Sequence, residues 1–173
     1  YADCQRSSGN KTAFELYLLS AFEEFFPQAE WVEKTLKRED FKEYYDRVER
    51  ERSFIHGDFQ YHNVLFCKNK QAVVNFQRCR LDGRVGDITL FLRKIMEKYG
   101  WDWNLGRELL EAYENVSPLS GEERRQLFYR MAYPDKFRKI ISTYYNSNKA
   151  FQALKDSRKL WRPSPRSKTR QTQ

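Results

Sequence analysis

Apolar residues recur at helical spacing over most of the chain. Between Thr12 and Pro27 they follow one another at steps of three and four residues, which places them on one face of a helix. Thr12 and Glu15 have the spacing of a capping box at its start, and Pro27 predicts its end. A second helical segment is predicted over residues 29–50, with a break at residues 38–40.

The spacing of apolar residues changes after the second helical segment. Two short runs, VLF at residues 64–66 and AVVNF at residues 72–76, are rich in strand-forming residues and flank the polar residues 68–71. This pattern predicts a β-hairpin. Asp82 and Gly83 then predict a turn in solvent.

Helical patterns return after this turn and continue towards the carboxyl end. Asp87 is predicted to cap a helix that ends at Gly100, and Ser120 with Glu123 predicts a capping box at the start of another. Three more helices are predicted, over residues 104–115, over residues 134–146 and around residues 150–154. The predicted fold class is therefore mainly α with a small β-hairpin, an α+β arrangement.

The length, 173 residues, suits one well-buried core, and the 40% of apolar residues indicates a globular protein. The net charge of +8 is unevenly distributed, because residues 155–173 hold seven cations and one anion. Residues 161–173 are predicted to form a disordered basic tail. A nucleic-acid partner is not expected, since no evenly basic face is indicated, although the tail could attach to an acidic partner.

Cysteine and histidine spacing does not predict a metal site. The three cysteines form no C-x-x-C pair, and only two histidines could join them. His62 is predicted to be packed and hydrogen-bonded rather than a ligand. A membrane partner is not expected either, because no apolar run approaches the roughly 20 residues of a membrane span.

The stretch FIHGDFQYHNVLF, residues 54–66, carries the candidate chemistry. Asp58 and Asn63 have the D-x-x-x-x-N spacing of a phosphoryl-transfer loop, in which the carboxylate accepts the substrate's hydroxyl proton and the amide oxygen binds Mg²⁺. The same two residues could instead only tie a tight loop together through backbone hydrogen bonds. His56 is expected to anchor the loop.

With the hairpin and the helix after it, this stretch resembles the aminoglycoside phosphotransferase and choline kinase superfamily. Over residues 10–160 the chain more closely resembles the spore coat protein CotS family, a kinase-like group of spore-forming bacteria. The segments that carry this resemblance are, in order, HGDFQYHNVLF, VVNFQRC, FLRKIMEKYGWD, PLSGEE, YPDKF and YYNSNKAF. It implies the carboxyl-terminal lobe of a protein kinase-like fold over residues 1–160, with the catalytic-loop hairpin at residues 53–84 and Asp87 supporting the loop.

One position departs from the superfamily pattern. There the second hairpin strand ends in an Asp that binds the metal bridging the phosphates, and here Asn75 stands in its place. Because Asn63 is also neutral, the resemblance predicts a weak or lost Mg²⁺ site without a carboxylate ligand. Asp82 and Asp87 are not expected to replace it, and no cofactor-binding residue is identified.

The sequence pattern predicts no segment that corresponds to the small lobe that covers the phosphates in such enzymes. The seven glycines form no G-x-G-x-x-G, and no β-rich segment precedes the helices. The sequence also begins at Tyr1 without a Met. We therefore expect the amino-terminal lobe to be absent from this chain, so that it cannot enclose ATP by itself.

The resemblance and Asn75 together predict a kinase-like structural or interaction protein without catalytic activity or cofactor. It would be made in the cytoplasm of a spore-forming bacterium and assembled into the spore coat with other coat proteins. The alternative is a small-molecule phosphotransferase that uses Mg²⁺-ATP only with its missing lobe, with Asp58 as the base. A small-molecule ligand could lie among aromatic residues, most of which the helical spacing assigns to the core: Trp101, Trp103, Tyr144, Tyr145, Phe151 and Trp161.

Overall fold

The computed structural model of the chain describes residues 13–68 and 70–146. The predicted helix around residues 150–154, the tail of residues 161–173 and the capping role of Thr12 lie outside the described residues. The chain divides into two compact units, residues 1–25 with 135–173 and residues 26–134.

Helices make up most of the described chain. They are α1 (Ala13–Arg38), α2 (Lys42–Arg50), α3 (Val85–Lys98), α4 (Trp103–Val116), α5 (Gly121–Ala132) and α6 (Asp135–Asn146). The strands are β1 (Phe54–Ile55), β2 (Val64–Cys67), β3 (Lys70–Val73) and β4 (Arg80–Leu81). The predicted fold class, mainly α with a small amount of β structure, is confirmed. None of the described helices is both long and apolar enough to cross a membrane.

The strands form two antiparallel pairs. β2 and β3 make the predicted hairpin, with Val64 opposite Val73 and Cys67 opposite Lys70. β1 pairs with β4, with Phe54 opposite Leu81. This second pair was not predicted, because two-residue strands show no periodicity. The pairing of β1 with β4 brings together the two ends of residues 54–81, the segment that contains the candidate loop.

The predicted end of the first helix at Pro27 is wrong, because α1 continues through this residue to Arg38. A proline inside a helix removes one hydrogen bond. Five residues later, however, Val32 is only 1% exposed and belongs to a buried apolar cluster. Tertiary packing of this part of α1 therefore outweighs the local penalty. The predicted break is confirmed, since α2 begins at Lys42.

Two further local predictions are wrong. Asp82 and Gly83 do not form a turn in solvent, because Gly83 is buried and the Asp82 side chain forms ion pairs with Arg80 and Arg130. Asp87 is not the cap of its helix. It lies in the first turn of α3, and its carboxylate binds a different part of the chain. The predicted capping box of Ser120 with Glu123 at the start of α5 is confirmed.

Two apolar clusters stabilise the unit of residues 26–134. The first joins α3 and α5 through the buried residues Val85, Ile88, Leu92, Leu119 and Leu127. The second joins α1, α2 and α5 through Val32, Phe41, Tyr44 and Tyr129.

The unit that contains α6 has its own small core. Leu18 and Tyr144 are buried there, and the Tyr144 hydroxyl donates a hydrogen bond of 2.9 Å to Glu15 Oε1. The core assignment of Tyr144 is thus confirmed. Trp103 does not belong to a core, because it is 75% exposed at the start of α4, where Asp102 caps the helix.

Gly83 offers a test of the packing around Tyr44. A Cβ atom at Gly83 would overlap the Tyr44 hydroxyl, and Tyr44 is only 2% exposed. Gly83→Ala is therefore expected to lower the free energy of unfolding by about 1–3 kcal/mol, the usual cost of overpacking. Urea denaturation measures this change.

Gly121→Ala is the matched control. A Cβ atom at Gly121 would lie 4.0 Å from its nearest neighbour, an atom of the Arg125 side chain, and Gly121 begins α5. This substitution is expected to leave stability unchanged or to raise it by about 0.4–1 kcal/mol. Equal losses for the two variants would show that the close approach at Gly83 does not constrain the fold.

Candidate functional site

The candidate loop, residues 56–63, connects β1 to β2. Gly57 has a φ of 74°, and a Cβ atom there would overlap the Arg78 carbonyl oxygen. Glycine is therefore required at this position, because it alone adopts a positive φ without a side chain to place. A 3₁₀ turn at Tyr61–Asn63 then leads directly into β2.

Asp87 fixes the start of this loop. Its Oδ2 accepts a hydrogen bond of 2.6 Å from the backbone N–H of His56, and its Oδ1 accepts one of 2.9 Å from the N–H of Gly57. Both carboxylate oxygens are thus used by the loop backbone. Since Asp87 lies in α3, these two hydrogen bonds tie the start of the loop to that helix.

His56 fixes the loop from the other side. Its ring is 6% exposed; Nε2 donates to the Val74 carbonyl oxygen at 2.8 Å, and Nδ1 accepts from the backbone N–H of Asp58 at 3.1 Å. A carbonyl oxygen only accepts and an amide N–H only donates, so these contacts require the neutral ring with its proton on Nε2. His56 therefore joins the loop to the end of β3.

The Asp58 carboxylate lies at the centre of the loop. Oδ1 accepts a hydrogen bond of 3.1 Å from the Gln60 side chain, and Oδ2 accepts a longer one of 3.4 Å from Asn63. Among the residues that the structure describes, no cation forms an ion pair with Asp58. The carboxylate is half-buried and can accept a proton from a hydroxyl group placed against it.

Asn63 and Asn75 are in direct contact. The Asn63 side chain is buried, and its Nδ2 donates to the Asp58 carbonyl oxygen at 2.8 Å. Its Oδ1 accepts a hydrogen bond of 2.8 Å from Asn75 Nδ2. Asn75 adopts a left-handed backbone conformation, with φ 71° and ψ 53°, which asparagine tolerates better than most residues. The structure thus brings together the two residues predicted as metal ligands.

This donor set does not fit Mg²⁺. The Asn63 oxygen that would bind the ion accepts a hydrogen bond instead, and Asn75 presents an N–H₂ group rather than a carboxylate. Asp82 and Asp87 are used elsewhere, by arginines and by the loop backbone respectively. Within residues 13–68 and 70–146, no group of three or more His, Cys, Asp and Glu side chains could hold a metal ion.

Sequence patterns missed several contacts of the site. Gln60 binds the Asp58 carboxylate, and the Phe76 ring packs on His56 with 4.6 Å between ring centroids. The D-x-x-x-x-N pattern leaves the residue at position 60 unspecified and does not extend to Phe76. The prediction that His62 is packed is wrong: its ring is exposed and lies 4.1 Å from the Tyr61 ring.

The candidate loop lies within a match to a known protein family. The model of the family described as phosphotransferase enzyme family (APH) matches residues 5–128, more than two thirds of the chain. The match includes the whole loop, Asn75 and Asp87. No solved structure gives a significant match to the chain.

Asp87→Asn tests how far the loop depends on this carboxylate. An amide keeps one acceptor oxygen but places N–H₂ against a backbone N–H, so the free energy of unfolding should fall by about 1–3 kcal/mol. Hydrogen exchange at the His56 and Gly57 amides should become faster. Asp46→Asn is the matched control, because Asp46 is 51% exposed and forms an exposed ion pair of 4.0 Å with Lys42. Equal behaviour of the two variants would contradict the anchoring role.

Proposed function

The chain belongs to the phosphotransferase enzyme family, and we propose that it retains the family's catalytic loop as a folded element without transferring phosphate. The observation that carries this proposal is the hydrogen bond of 2.8 Å from Asn75 to Asn63. It occupies the oxygen that a metal ion would need. Two neutral side chains therefore lie where a metal ion would have to neutralise the charge of the phosphate groups during phosphoryl transfer.

The physical argument concerns charge. Mg²⁺ gives up its water reluctantly and is bound in such sites by one or two carboxylates together with the substrate phosphates. Of the three polar side chains Asp58, Asn63 and Asn75, only Asp58 is anionic, and it is the candidate base. An ion held by Asp58 would withdraw that base from the substrate hydroxyl.

The same proposal assigns an interaction role in the spore coat. Its support is the resemblance of residues 10–160 to the spore coat protein CotS family. We propose that the chain is made in the cytoplasm of a spore-forming bacterium and packs against other coat proteins. Several large apolar side chains on and beside the strands are exposed and are therefore available for such contacts: Phe54, Leu65, Phe66, Phe76 and Leu81.

A second candidate is a small-molecule phosphotransferase that uses Mg²⁺-ATP together with an amino-terminal lobe. The observation that favours it is the Asp58 carboxylate, which keeps an open position at the loop centre. Under this alternative Asp58 is the base, and Asn63 with Asn75 holds the metal weakly. Thermal unfolding of the protein joined to such a lobe, measured with and without Mg²⁺-ATP, separates the two candidates. A rise in Tm that Asp58→Ala removes would overturn the non-catalytic proposal, whereas an unchanged Tm agrees with it.

Asn75→Asp tests whether the amide is what excludes the metal. Aspartate also tolerates the left-handed conformation, but it cannot donate to Asn63 Oδ1 and instead places two oxygens face to face. Without metal, the Tm should fall. Addition of Mn²⁺ should restore it, and Mn²⁺ affinity measured by electron paramagnetic resonance should rise by roughly tenfold over the unsubstituted chain, because one anionic ligand is gained.

Asn104→Asp is the matched control for this experiment. Asn104 is exposed in the first turn of α4, away from the loop in sequence and in contacts. Its substitution should change neither the Tm nor Mn²⁺ affinity. If Asn75→Asp and Asn104→Asp bind Mn²⁺ equally, or if the unsubstituted chain already binds it as tightly as Asn75→Asp, the role assigned to Asn75 is wrong.

A further inference from the structure

The hairpin of β2 and β3 is exposed on both of its faces. All four residues of β3 are exposed, and so are Leu65, Phe66 and Cys67 of β2, with Phe66 at 74%. Within the described residues these two strands form a sheet of their own, because β1 pairs with β4 instead. A two-stranded hairpin is only marginally stable in water unless a further strand or a helix packs against it. The hairpin therefore has surface to bury against another molecule.

The outer edge of β3 carries backbone groups that have no partner in the hairpin. The Val74 N–H donates to the Asn63 carbonyl oxygen at 3.0 Å, one position beyond the pair of Val64 with Val73. Hydrogen-bonded and non-hydrogen-bonded pairs alternate along antiparallel strands, so the backbone groups of Gln71 and Val73 point away from β2. No backbone hydrogen bond to these outward groups occurs within the described part of the chain. The edge of β3 is therefore open.

The segment around this edge is basic. Residues 59–81 contain four cations, Lys68, Lys70, Arg78 and Arg80, and no Asp or Glu. Arg80 pairs with Asp82 outside this range, whereas the exposed Lys68 and Lys70 form no ion pair with a residue that the structure describes. Acidic side chains placed at the edge would therefore gain two ion pairs without breaking an existing one.

The two faces of the hairpin differ in chemistry. Alternate residues of a strand point to the same face, and residues opposite each other in the register share a face. Phe66 and Val73 therefore lie on one face, and Lys70 lies on the other. A strand added beside β3 would place every second side chain next to Val73 and the remaining ones next to Lys70. The edge thus suits a strand in which apolar and acidic residues alternate.

Charge distinguishes this partner from other occupants of the edge. A second copy of the chain would bring its own Lys68 and Lys70 against those of the first, and lysines at an edge oppose pairing between copies. The parts of the chain outside the described residues are also basic. Residues 1–12 carry two cations and one anion, and residues 147–173 carry eight cations and one anion. An acidic segment of another protein is therefore the occupant that the charges favour.

We propose that the outer edge of β3 is a docking site for an extended acidic segment of a partner protein, which adds a third strand to the hairpin. The backbone of the segment pairs with Gln71 and Val73. Its acidic side chains lie near Lys68 and Lys70. This docking rests on the proposed interaction role, for which it names the surface and the partner chemistry. It uses no residue of the candidate loop, so it does not depend on whether the loop transfers phosphate.

Three blocked heptapeptides test this docking on the full 173-residue chain. The first alternates Glu with Val, the second alternates Lys with Val, and the third alternates Glu with Pro. Each peptide is titrated while the backbone amide signals of Gln71 and Val73 are followed by NMR. The Glu/Val peptide should cause saturable shifts at both amides, and the Lys/Val peptide should cause none.

The Glu/Pro peptide separates strand pairing from simple charge attraction. It has the charge of the Glu/Val peptide but no N–H donor at its prolines, so it should bind at least several times more weakly. Absence of saturable shifts with the Glu/Val peptide would overturn the proposal. Equal binding of the Glu/Val and Glu/Pro peptides would do the same, because charge alone would then account for binding.

The double substitution Lys68→Glu with Lys70→Glu tests the charge of the edge. It lowers the net charge from +8 to +4, because each substitution removes a positive and adds a negative charge, so the chain as a whole stays basic. The affinity for the Glu/Val peptide should fall roughly tenfold, since two exposed ion pairs become like-charge contacts. The Lys/Val peptide should then bind more tightly than the Glu/Val peptide. Both lysines are exposed, so the Tm should not change.

The matched control is the double substitution Lys34→Glu with Lys37→Glu. These lysine side chains are 63% and 73% exposed on α1, and the variant has the same net charge of +4 by the same arithmetic. It should bind the Glu/Val peptide as the unsubstituted chain does. Equal affinities of the two double variants would show that overall charge, and not the edge of β3, attracts the peptide.

Hydrogen exchange in the chain without peptide tests whether the edge is open. The Gln71 and Val73 amides should exchange rapidly and become protected when the Glu/Val peptide is added. The Ala72 amide faces β2 in its pair with Leu65 and is the internal reference. Protection of Gln71 and Val73 without peptide would show that another part of the chain or a second copy already covers the edge, which would overturn the proposal. Mg²⁺-ATP has no part in these experiments, so their outcome is separate from the thermal-shift test of the loop.

Discussion

The two hydrogen bonds that Asp87 accepts from the loop backbone hold the candidate site in place. The strands beside the loop are too short to do so alone, since β1 and β4 have two residues each. Hydrogen bonds to a charged acceptor contribute about 1.5–3 kcal/mol each, more than neutral ones. Through Asp87 this stabilisation is tied to α3, whose Val85, Ile88 and Leu92 form the core with α5. Loop geometry thus depends on one carboxylate and on the helix that carries it.

Given this anchor, the remaining polar groups of the loop satisfy one another. Asn75 donates to Asn63, Asn63 donates to Asp58, and His56 bridges Asp58 and Val74. A pair of carboxylates at this place would repel each other unless a cation lay between them. The amide of Asn75 removes the need for that cation because it supplies a donor of its own. These hydrogen bonds join the polar side chains of the loop into one network.

Local rules recovered the helices and the hairpin because periodicity and capping are properties of neighbouring residues. They failed at Pro27 and at Gly83, where packing against distant residues decides the outcome. At the site, spacing identified Asp58 and Asn63. The importance of Asp87 and Asn75 came from the resemblance, since the pairing of β1 with β4 that assembles the site has no periodic signal. Nothing in the pattern indicated the contact between Gly83 and Tyr44.

The loop and the packing around Tyr44 differ in how far their buried polar groups are satisfied. In the loop, the Asn63 oxygen and both His56 ring nitrogens have partners within the chain, so a metal ion would have to displace existing hydrogen bonds. The buried Tyr44 hydroxyl has no such partner, and a phenylalanine there would remove the unfavourable group. The polar groups of the loop are thus the better satisfied of the two, and their hydrogen bonds oppose the entry of a metal ion.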